Sequence, residues 1–365
     1  MVLAGDSPLY FFQILFCLSL AFLSGGGVRR RIIHNSNFMK AVIYTKYGPP
    51  EVLKIEDVEK PVPKDNEILI KIYATSVSSG DVKIRSFSDI PPLPWIPFRL
   101  AVGLFRPRKK ILGFTLAGEV ESIGKNIKKY KVGDKIFGSA GFGGGTYAQY
   151  RCVVENEIIT KKPERMTYEE AVTIPFGGMT SLFFLKKGGI KAGQKVLVYG
   201  ASGALGTAAI QIAKFFGAEV TGVCSGVNVE LVKSLGADKV INYKEEDFTK
   251  NGESYDIIFD TVGKTHFSNS VKSLNKKGFY LRALHLEAKP ILQGIWTNIT
   301  SDKKIVGGVA KETIEDLDFL KELFEKGEYR AVVDKIYPLE EIVKAHKHVE
   351  TGRKKGNVVI TIGHE

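Results

Sequence analysis

The chain has 365 residues, 44% hydrophobic and 25% charged, a globular composition with room for two domains of ordinary size. Its formal net charge is +12, yet no run of Lys and Arg exceeds three, so the excess reads as a field favouring an anionic cofactor and no nucleic-acid partner is expected. Cys17, Cys152 and Cys224 stand far apart, which excludes a disulfide framework and a CxxC metal pair and suits a reducing, cytoplasmic setting.

Residues 1–38 differ in character from the rest. Leu9 to Leu23 is an uncharged run of 15 residues, followed by Arg29, Arg30 and Arg31. A membrane-spanning helix needs about 20 apolar residues, and a secretory signal carries its basic residues ahead of the apolar run. Met39-Lys40-Ala41-Val42 starts a strand cleanly, so the preferred expectation is that Met39 is the natural start and 1–38 a gene-boundary artefact. The rival is an amino-terminal anchor whose trailing arginines keep the body cytoplasmic; it would be the chain's one membrane contact. The segment holds three Arg and one Asp, which leaves +10 on the remainder.

Residues 40–160 read as short strands and turns. AVIYTKYG and ILIKIYATSV are expected strands, with PVPKDN as the breaker between them. Gly80-Asp81 turns into VKIRSF. Residues 87–110 form a proline-rich loop without periodicity, either a functional lid or a disordered insertion. GFTLAGEV, KVGDKIFGS and GGGTYAQYRCVV continue the β pattern, which suits a substrate domain.

From Thr167 the pattern changes. YEEAVTIPFGGMTSLFFLKKGG is helix, broken at Pro175 and Gly177-Gly178, then helix again. In Lys195 to Gly217, Val196 to Tyr199 form a buried parallel strand; Leu205, Ala208, Ala209, Ile212, Ala213 and Phe216 then share one helical face, and Gly217 ends the helix. Between them, Ala201-Ser202-Gly203-Ala204-Leu205-Gly206 fits G-x-G-x-x-G with Ala201 in the first glycine position. A turn of this kind lets backbone N–H groups at a helix start approach a pyrophosphate. The strand before it and the helix after it are the context that makes the pattern specific. EVTGVCS, KVINY, YDIIFDTVG, GFYLRAL and IVGGVA are further strands alternating with helices, the signature of a doubly wound parallel sheet. TIEDLDFLKELFEKG is an amphipathic helix, and the tail ends in a strand able to rejoin the first domain.

An NAD enzyme usually places Asp or Glu on the ribose hydroxyls about 20 residues past the glycine turn. Here Val223-Cys224-Ser225-Gly226 offers no carboxylate, Ser225 can donate to a phosphate, and Tyr243 and Lys244 follow the next strand, so NADPH is the expected cofactor. The plainer alternative for Ser225 is a cap on the helix starting near Asn228. His346 and His348, two apart on a helix, cannot face one target and are expected to be solvated.

With these stretches in hand, the chain resembles the zinc-independent medium-chain dehydrogenase/reductases of the quinone oxidoreductase group, on Met39–Gly48, Ser78–Arg85, Gly113–Gly124, Pro175–Thr180, Gly200–Gly206, Phe259–Gly263 and Gly356–Ile362. The resemblance implies an α/β fold: a Rossmann domain (163–328) inserted in a β-rich, GroES-like catalytic domain made of 39–162 with 329–365. It implies hydride transfer from NADPH to a quinone or α,β-unsaturated carbonyl, and a homodimer. Gly113-Phe114-Thr115-Leu116-Ala117-Gly118 stands where the zinc branch has G-H-E-x-x-G, and phenylalanine cannot ligate zinc, so no metal is expected. The family run N-P-x-D-x-Y-x-R is matched by Ser78 to Arg85, with Ser78 for Asn and Lys83 for Tyr. Ser78 and Lys83 are therefore the candidate catalytic residues, while Asp81 and Arg85 either serve there too or form a structural ion pair. To the turn residues Ala201, Ser202, Gly203, Ala204 and Leu205 and the strand-end Ser225 and Tyr243, the resemblance adds Thr180, Val262, Gly263, Ala283, Leu284, Lys355 and Asn357 as the cofactor set. Thr180 and the strand-end residues also have a plain packing reading. The altered Ser78/Lys83 run keeps open a second class, a non-catalytic NADPH-binding regulator or weak RNA-binding protein.

Overall fold

Six parallel strands form the sheet that carries the glycine turn. The computed structural model describes residues 37–87, 100, 102–283 and 288–364. The expectations for the segment before residue 37, for most of the 87–110 loop and for Leu284 lie outside the described residues. Phe38–Glu365 makes one unit, and among the described residues no helix is long and apolar enough to cross a membrane.

The amino-terminal half supplies β1 (Phe38–Ile43), β2 (Lys54–Glu59), β3 (Glu67–Val77), β4 (Thr115–Ile123), β5 (Lys135–Ser139), β6 (Tyr150–Val154) and β7 (Ile158–Lys161). The middle supplies β8 (Lys195–Tyr199), β9 (Glu219–Cys224), β10 (Lys239–Asn242), β11 (Tyr255–Asp260), β12 (Leu274–Ala283) and β13 (Lys304–Gly308), and the tail β14 (Val333–Pro338) and β15 (Asn357–Thr361). The α-helices are α1 (Ser79–Ser86), α2 (Tyr168–Ala171), α3 (Thr180–Lys187), α4 (Ala204–Phe215), α5 (Val229–Ser234), α6 (Phe267–Lys272), α7 (Ala288–Thr300), α8 (Ile314–Lys326) and α9 (Ile342–Glu350).

The first sheet runs β14-β15-β3-β4-β5-β7 with β6 also on β3, and β15 pairs antiparallel with β3, so the carboxy-terminal strands rejoin the amino-terminal sheet as the tail's apolar run predicts. Ile68, Ile70 and Ile72 alternate along β3 and are fully buried, the period of a strand with one face on the core. The second sheet runs β10-β9-β8-β11-β12-β13, every pair parallel. Its switch point lies between β8 and β11, the place at which open parallel sheets of this kind receive their ligands. Val196, Leu197 and Val198 are fully buried, as a central strand covered on both faces requires.

The run after Gly80 differs from its expected turn. Residues 79–86 are helical because Ser78 and Asp81 form a capping box: Asp81 N–H donates to Ser78 Oγ at 3.2 Å, and Ser78 N–H donates back to Asp81 Oδ2 at 2.8 Å. This local cap outweighs the β-forming Val82 and Ile84.

Candidate functional site

Gly200 follows β8, and a side chain there would strike the neighbouring crossover: an added Cβ would lie 2.3 Å from Val262 Cγ2 and 2.5 Å from Thr261 Oγ1. Gly206 meets a harder limit, an added Cβ falling 2.2 Å from the Gly200 carbonyl oxygen, so this glycine lets α4 press on the turn. Gly203 is the N-cap of α4 and has no such neighbour, since an added Cβ would meet only Gly200 O at 3.5 Å. The first N–H groups of α4 have no intrahelical acceptor. Open space beside them, kept by a glycine that packing does not demand, fits an anionic group such as a pyrophosphate. Ser181 Oγ donates to Leu205 O at 2.8 Å and holds α3 on the same turn, with Thr180, one residue before, buried.

Asn228 ties this turn to the end of β9. Its Nδ2 donates to Ser202 Oγ at 2.9 Å and to Ser225 Oγ at 3.2 Å, while its buried Oδ1 has no protein partner. Ser225 occupies an N-cap position, but its side chain caps nothing. The hydroxyl faces Asn228, and the plain capping alternative is corrected. Tyr243 follows β10, half-exposed, with its N–H on Cys224 O at 3.1 Å. Sequence reasoning missed Asn228, whose signal was a polar residue three after Ser225.

It also missed Asp260. This fully buried carboxylate accepts from Val262 N–H at 3.0 Å, Gly263 N–H at 2.7 Å, Thr265 Oγ1 at 2.8 Å and Tyr280 OH at 3.0 Å. It thereby fixes the loop that carries Val262 and Gly263. Ala283 is buried at the end of β12.

The tail meets the turn directly. Gly356 N–H donates to Ser202 O at 2.8 Å, and Gly203 and Gly356 form a parallel bridge. Asn357 is buried, with its Nδ2 donating to Val332 O at 3.2 Å. Lys355 is exposed, and the lysine turned inward is its neighbour. Lys354 Nζ donates to Gly356 O at 2.5 Å, and burial lowers its pKa to about 8 against the opposing pull of Asp334.

Ser78 and Gly80 form the facing wall. A Cβ on Gly80 would lie 3.2 Å from Phe114 Cε2, 3.3 Å from Ser78 Oγ and 3.7 Å from Phe176 Cε2, which brings Ser78 beside two rings. A Cβ on Gly177 would lie 2.7 Å from Ala204 O, so Phe176 leads straight to the first turn of α4. Ser78 Oγ donates its proton to Asp81 Oδ2 at 2.6 Å. Asp81 Oδ1 accepts from Gly113 N–H at 3.0 Å. Burial nevertheless pushes the Asp81 carboxyl up to about 6, opposed by these hydrogen bonds and one from Tyr147. Lys83 is exposed on α1.

Two expectations are overturned here. Arg85 is fully buried and pairs with Glu350 of α9, not with Asp81, because α9 packs against α1. His346 is likewise fully buried, edge-on to the Tyr147 ring at 5.8 Å between centroids, while His348 pairs with Asp334 at 3.0 Å and Tyr337 OH at 3.0 Å. Neither is solvated, although they do face different targets as their spacing demands. Ser139 Oγ donates to Glu312 Oε2 at 2.5 Å.

Residues 64–164 match the family of alcohol dehydrogenase GroES-like domains, and residues 235–360 match the zinc-binding dehydrogenases. Among the described residues, no group of three or more His, Cys, Asp or Glu could hold a metal ion. A 2-methylene-furan-3-one reductase of Solanum lycopersicum is 32% identical, over 88% of this chain and 79% of that protein. The mitochondrial NAD(P)H oxidoreductase RTN4IP1 of Bos taurus is 31% identical over 90% of each chain. The solved quinone oxidoreductase of Coxiella burnetii superposes with a TM-score of 0.80 at 31% identity, covering 89% of this chain and 100% of its own.

Proposed function

The chain belongs to the medium-chain dehydrogenase/reductases of the quinone oxidoreductase type, and on that footing we propose that it is a zinc-independent reductase taking hydride from NADPH to a quinone or an α,β-unsaturated carbonyl. The observation that carries the reading is the open cradle at Gly203, joined through Asn228 to a β9 end with hydroxyls and no carboxylate. NADPH, when bound, supplies the hydride. Ser202, Gly203, Ala204 and Leu205, with Ala201 behind them, take the pyrophosphate at the start of α4. Ser225 and Tyr243 take the 2′-phosphate, where a carboxylate would repel it. Val262, Gly263 and Ala283 form the strand-end edge along the ribose, and Thr180, Lys355 and Asn357 hold the nicotinamide side. Lys83 holds the acceptor oxygen, and Ser78, whose hydroxyl proton goes to Asp81, only orients the acceptor beside Phe114 and Phe176. With no metal in this scheme, rate comes from positioning and from stabilising the charge that develops on that oxygen.

In this reading the catalytic domain is 39–162 with 329–365 and the cofactor domain is 163–328. The working form is a cytoplasmic homodimer. The edge strand β13 and the adjoining α7 support the dimer, since Leu292, Ile295, Trp296 and Ile299 of α7 are exposed. The test is NADPH oxidation over a panel of quinones, enones and enals. Turnover with at least one class is expected. Tight NADPH binding with turnover of none would favour the non-catalytic reading instead.

A further inference from the structure

Arg282 is a buried cation without an acid. It is the penultimate residue of β12 and only 6% exposed. Its Nε has no hydrogen-bond partner, and among the described residues no carboxylate pairs with its guanidinium. The carboxylate in register with it, Asp260 of β11, is already taken by the N–H groups of Val262 and Gly263 and by Thr265 and Tyr280. The guanidinium carbon lies 5.9 Å from the centre of the Tyr280 ring, an attraction weaker than the cost of taking a charge out of water.

This side chain lines a cleft of about 290 Å³ between α7 and the β12–β13 edge. Ile291 and Ile295 of α7 and Ile305 of β13 give the cleft apolar walls. Gly307 stands in register with Arg282 and leaves the space beside it open. Asn298 also lines the cleft, but its amide clips α7 to β13: Oδ1 accepts from Ile305 N–H at 2.7 Å, and Nδ2 donates to Ile305 O at 3.1 Å. The first turn of α7 holds no acidic residue, and its dipole adds to the positive field. The cleft is separate from the cradle at Gly203. Leu281 and Ala283 pack in the core shared with Leu182 of α3 and Leu205 of α4. Tyr280, two residues from Arg282 and so on the same face of the strand, packs on the other side of the sheet with Ile305.

We propose that this cleft binds a small organic carboxylate, its carboxylate on Arg282 and an apolar body of a few carbons against the three isoleucines. A single guanidinium suits a monoanion, and its planar donors match a carboxylate through two parallel hydrogen bonds. Binding of this kind needs no turnover and does not rest on the reductase reading.

The probes are hexanoate and its neutral amide, hexanamide, titrated by calorimetry into the full chain in chloride-free buffer, with and without NADPH. Hexanoate should bind, hexanamide should bind about tenfold more weakly or worse, and NADPH should leave the hexanoate affinity unchanged. Arg282→Met keeps the bulk and removes the charge. It should lose hexanoate binding while melting no lower than the native chain, since an unpaired buried cation is gone. Gly307→Leu keeps Arg282 and fills the space instead. An added Cβ there meets only Arg282 O at 3.7 Å and Arg282 Cβ at 3.9 Å, both ordinary contacts, so this variant should fold and exclude hexanoate. A native chain that takes up no hexanoate, as when a second copy covers Arg282, overturns the proposal. So does equal binding of the amide, displacement of hexanoate by NADPH, or undiminished binding to both variants.

Discussion

Asn228 Nδ2 donates to Ser202 Oγ at 2.9 Å, which links the turn after β8 to the end of β9. A cofactor spanning that link meets hydroxyls and an amide at its adenosine ribose. NADPH is therefore expected to bind at least tenfold more tightly than NADH, a gap of about 1.4 kcal/mol. Ser225→Asp should narrow the gap by setting a carboxylate against the 2′-phosphate. Fluorescence titration with both cofactors decides, and equal affinities for the native chain would remove the argument.

Gly203 and Gly206 should separate binding from folding. A side chain at Gly203 enters open space at the start of α4, so Gly203→Val should melt near the native temperature and lose NADPH binding. At Gly206 the same change drives Cβ to 2.2 Å from Gly200 O, and overpacking of that kind costs about 1–3 kcal/mol or more. Melting curves beside NADPH titrations test the pair. A Gly203→Val protein that still binds NADPH would show that the cradle is not the phosphate site.

The strand, turn and helix around Gly203 were legible because each signal is local: an apolar β run, three glycines at fixed spacing and a helical apolar face. The wall opposite was not. The capping pair Ser78 and Asp81 stands in the sequence, but Gly80-Asp81 reads there as a turn. The local cap sets the helix, and what the sequence does not show is its tertiary anchor, Arg85 buried against Glu350 265 residues away. His346 was misread for the same reason, since a helix at the chain end shows nothing of the Tyr147 ring it will cover. Lys354 and Lys355 differ by one residue, and only the path of the tail across Ser202 decides which turns inward.

Because His346 is buried, the fold should be sensitive to acid. Burial lowers its pKa to about 3, and the Arg85 charge adds to the effect. An unfolded histidine titrates near 6.5, so the unfolded chain takes up a proton that the folded chain refuses. This contribution is complete above pH 6.5 and is lost toward pH 3, by at most about 1.4 kcal/mol per pH unit. Asp81, raised to about 6, acts in the opposite sense between pH 6 and its unfolded value. It is present in both proteins when native chain and His346→Phe are compared. Urea unfolding from pH 7 to pH 4 should show an acid limb shallower by one proton in the variant, and superimposable limbs would exclude His346 as its source.

Metal should be dispensable. Phe114 stands at the zinc-branch histidine position, and Thr115, at the glutamate position, spends its hydroxyl on Ser76 Oγ at 2.8 Å. Exhaustive chelation is expected to leave NADPH oxidation unchanged. Stoichiometric zinc that leaves together with activity would refute this.

Ser78 and Lys83 should fail in different ways. The Ser78 hydroxyl both caps α1 and donates to the buried Asp81 carboxylate. Ser78→Ala therefore loses a cap worth about 0.5–2 kcal/mol and leaves Asp81 one donor short, so any fall in turnover comes with a lower melting temperature. Lys83 is exposed in the last turn of α1, and Lys83→Ala should barely move stability. If its ammonium holds the acceptor oxygen as charge develops, kcat should fall by roughly 10²–10³, the usual loss for one such donor. NADPH affinity should be unchanged, and Lys83→Arg should recover part of the rate because it restores the charge without the same reach. A Lys83→Ala protein at full kcat, beside a Ser78→Ala protein that loses only stability, would take both residues out of the chemistry.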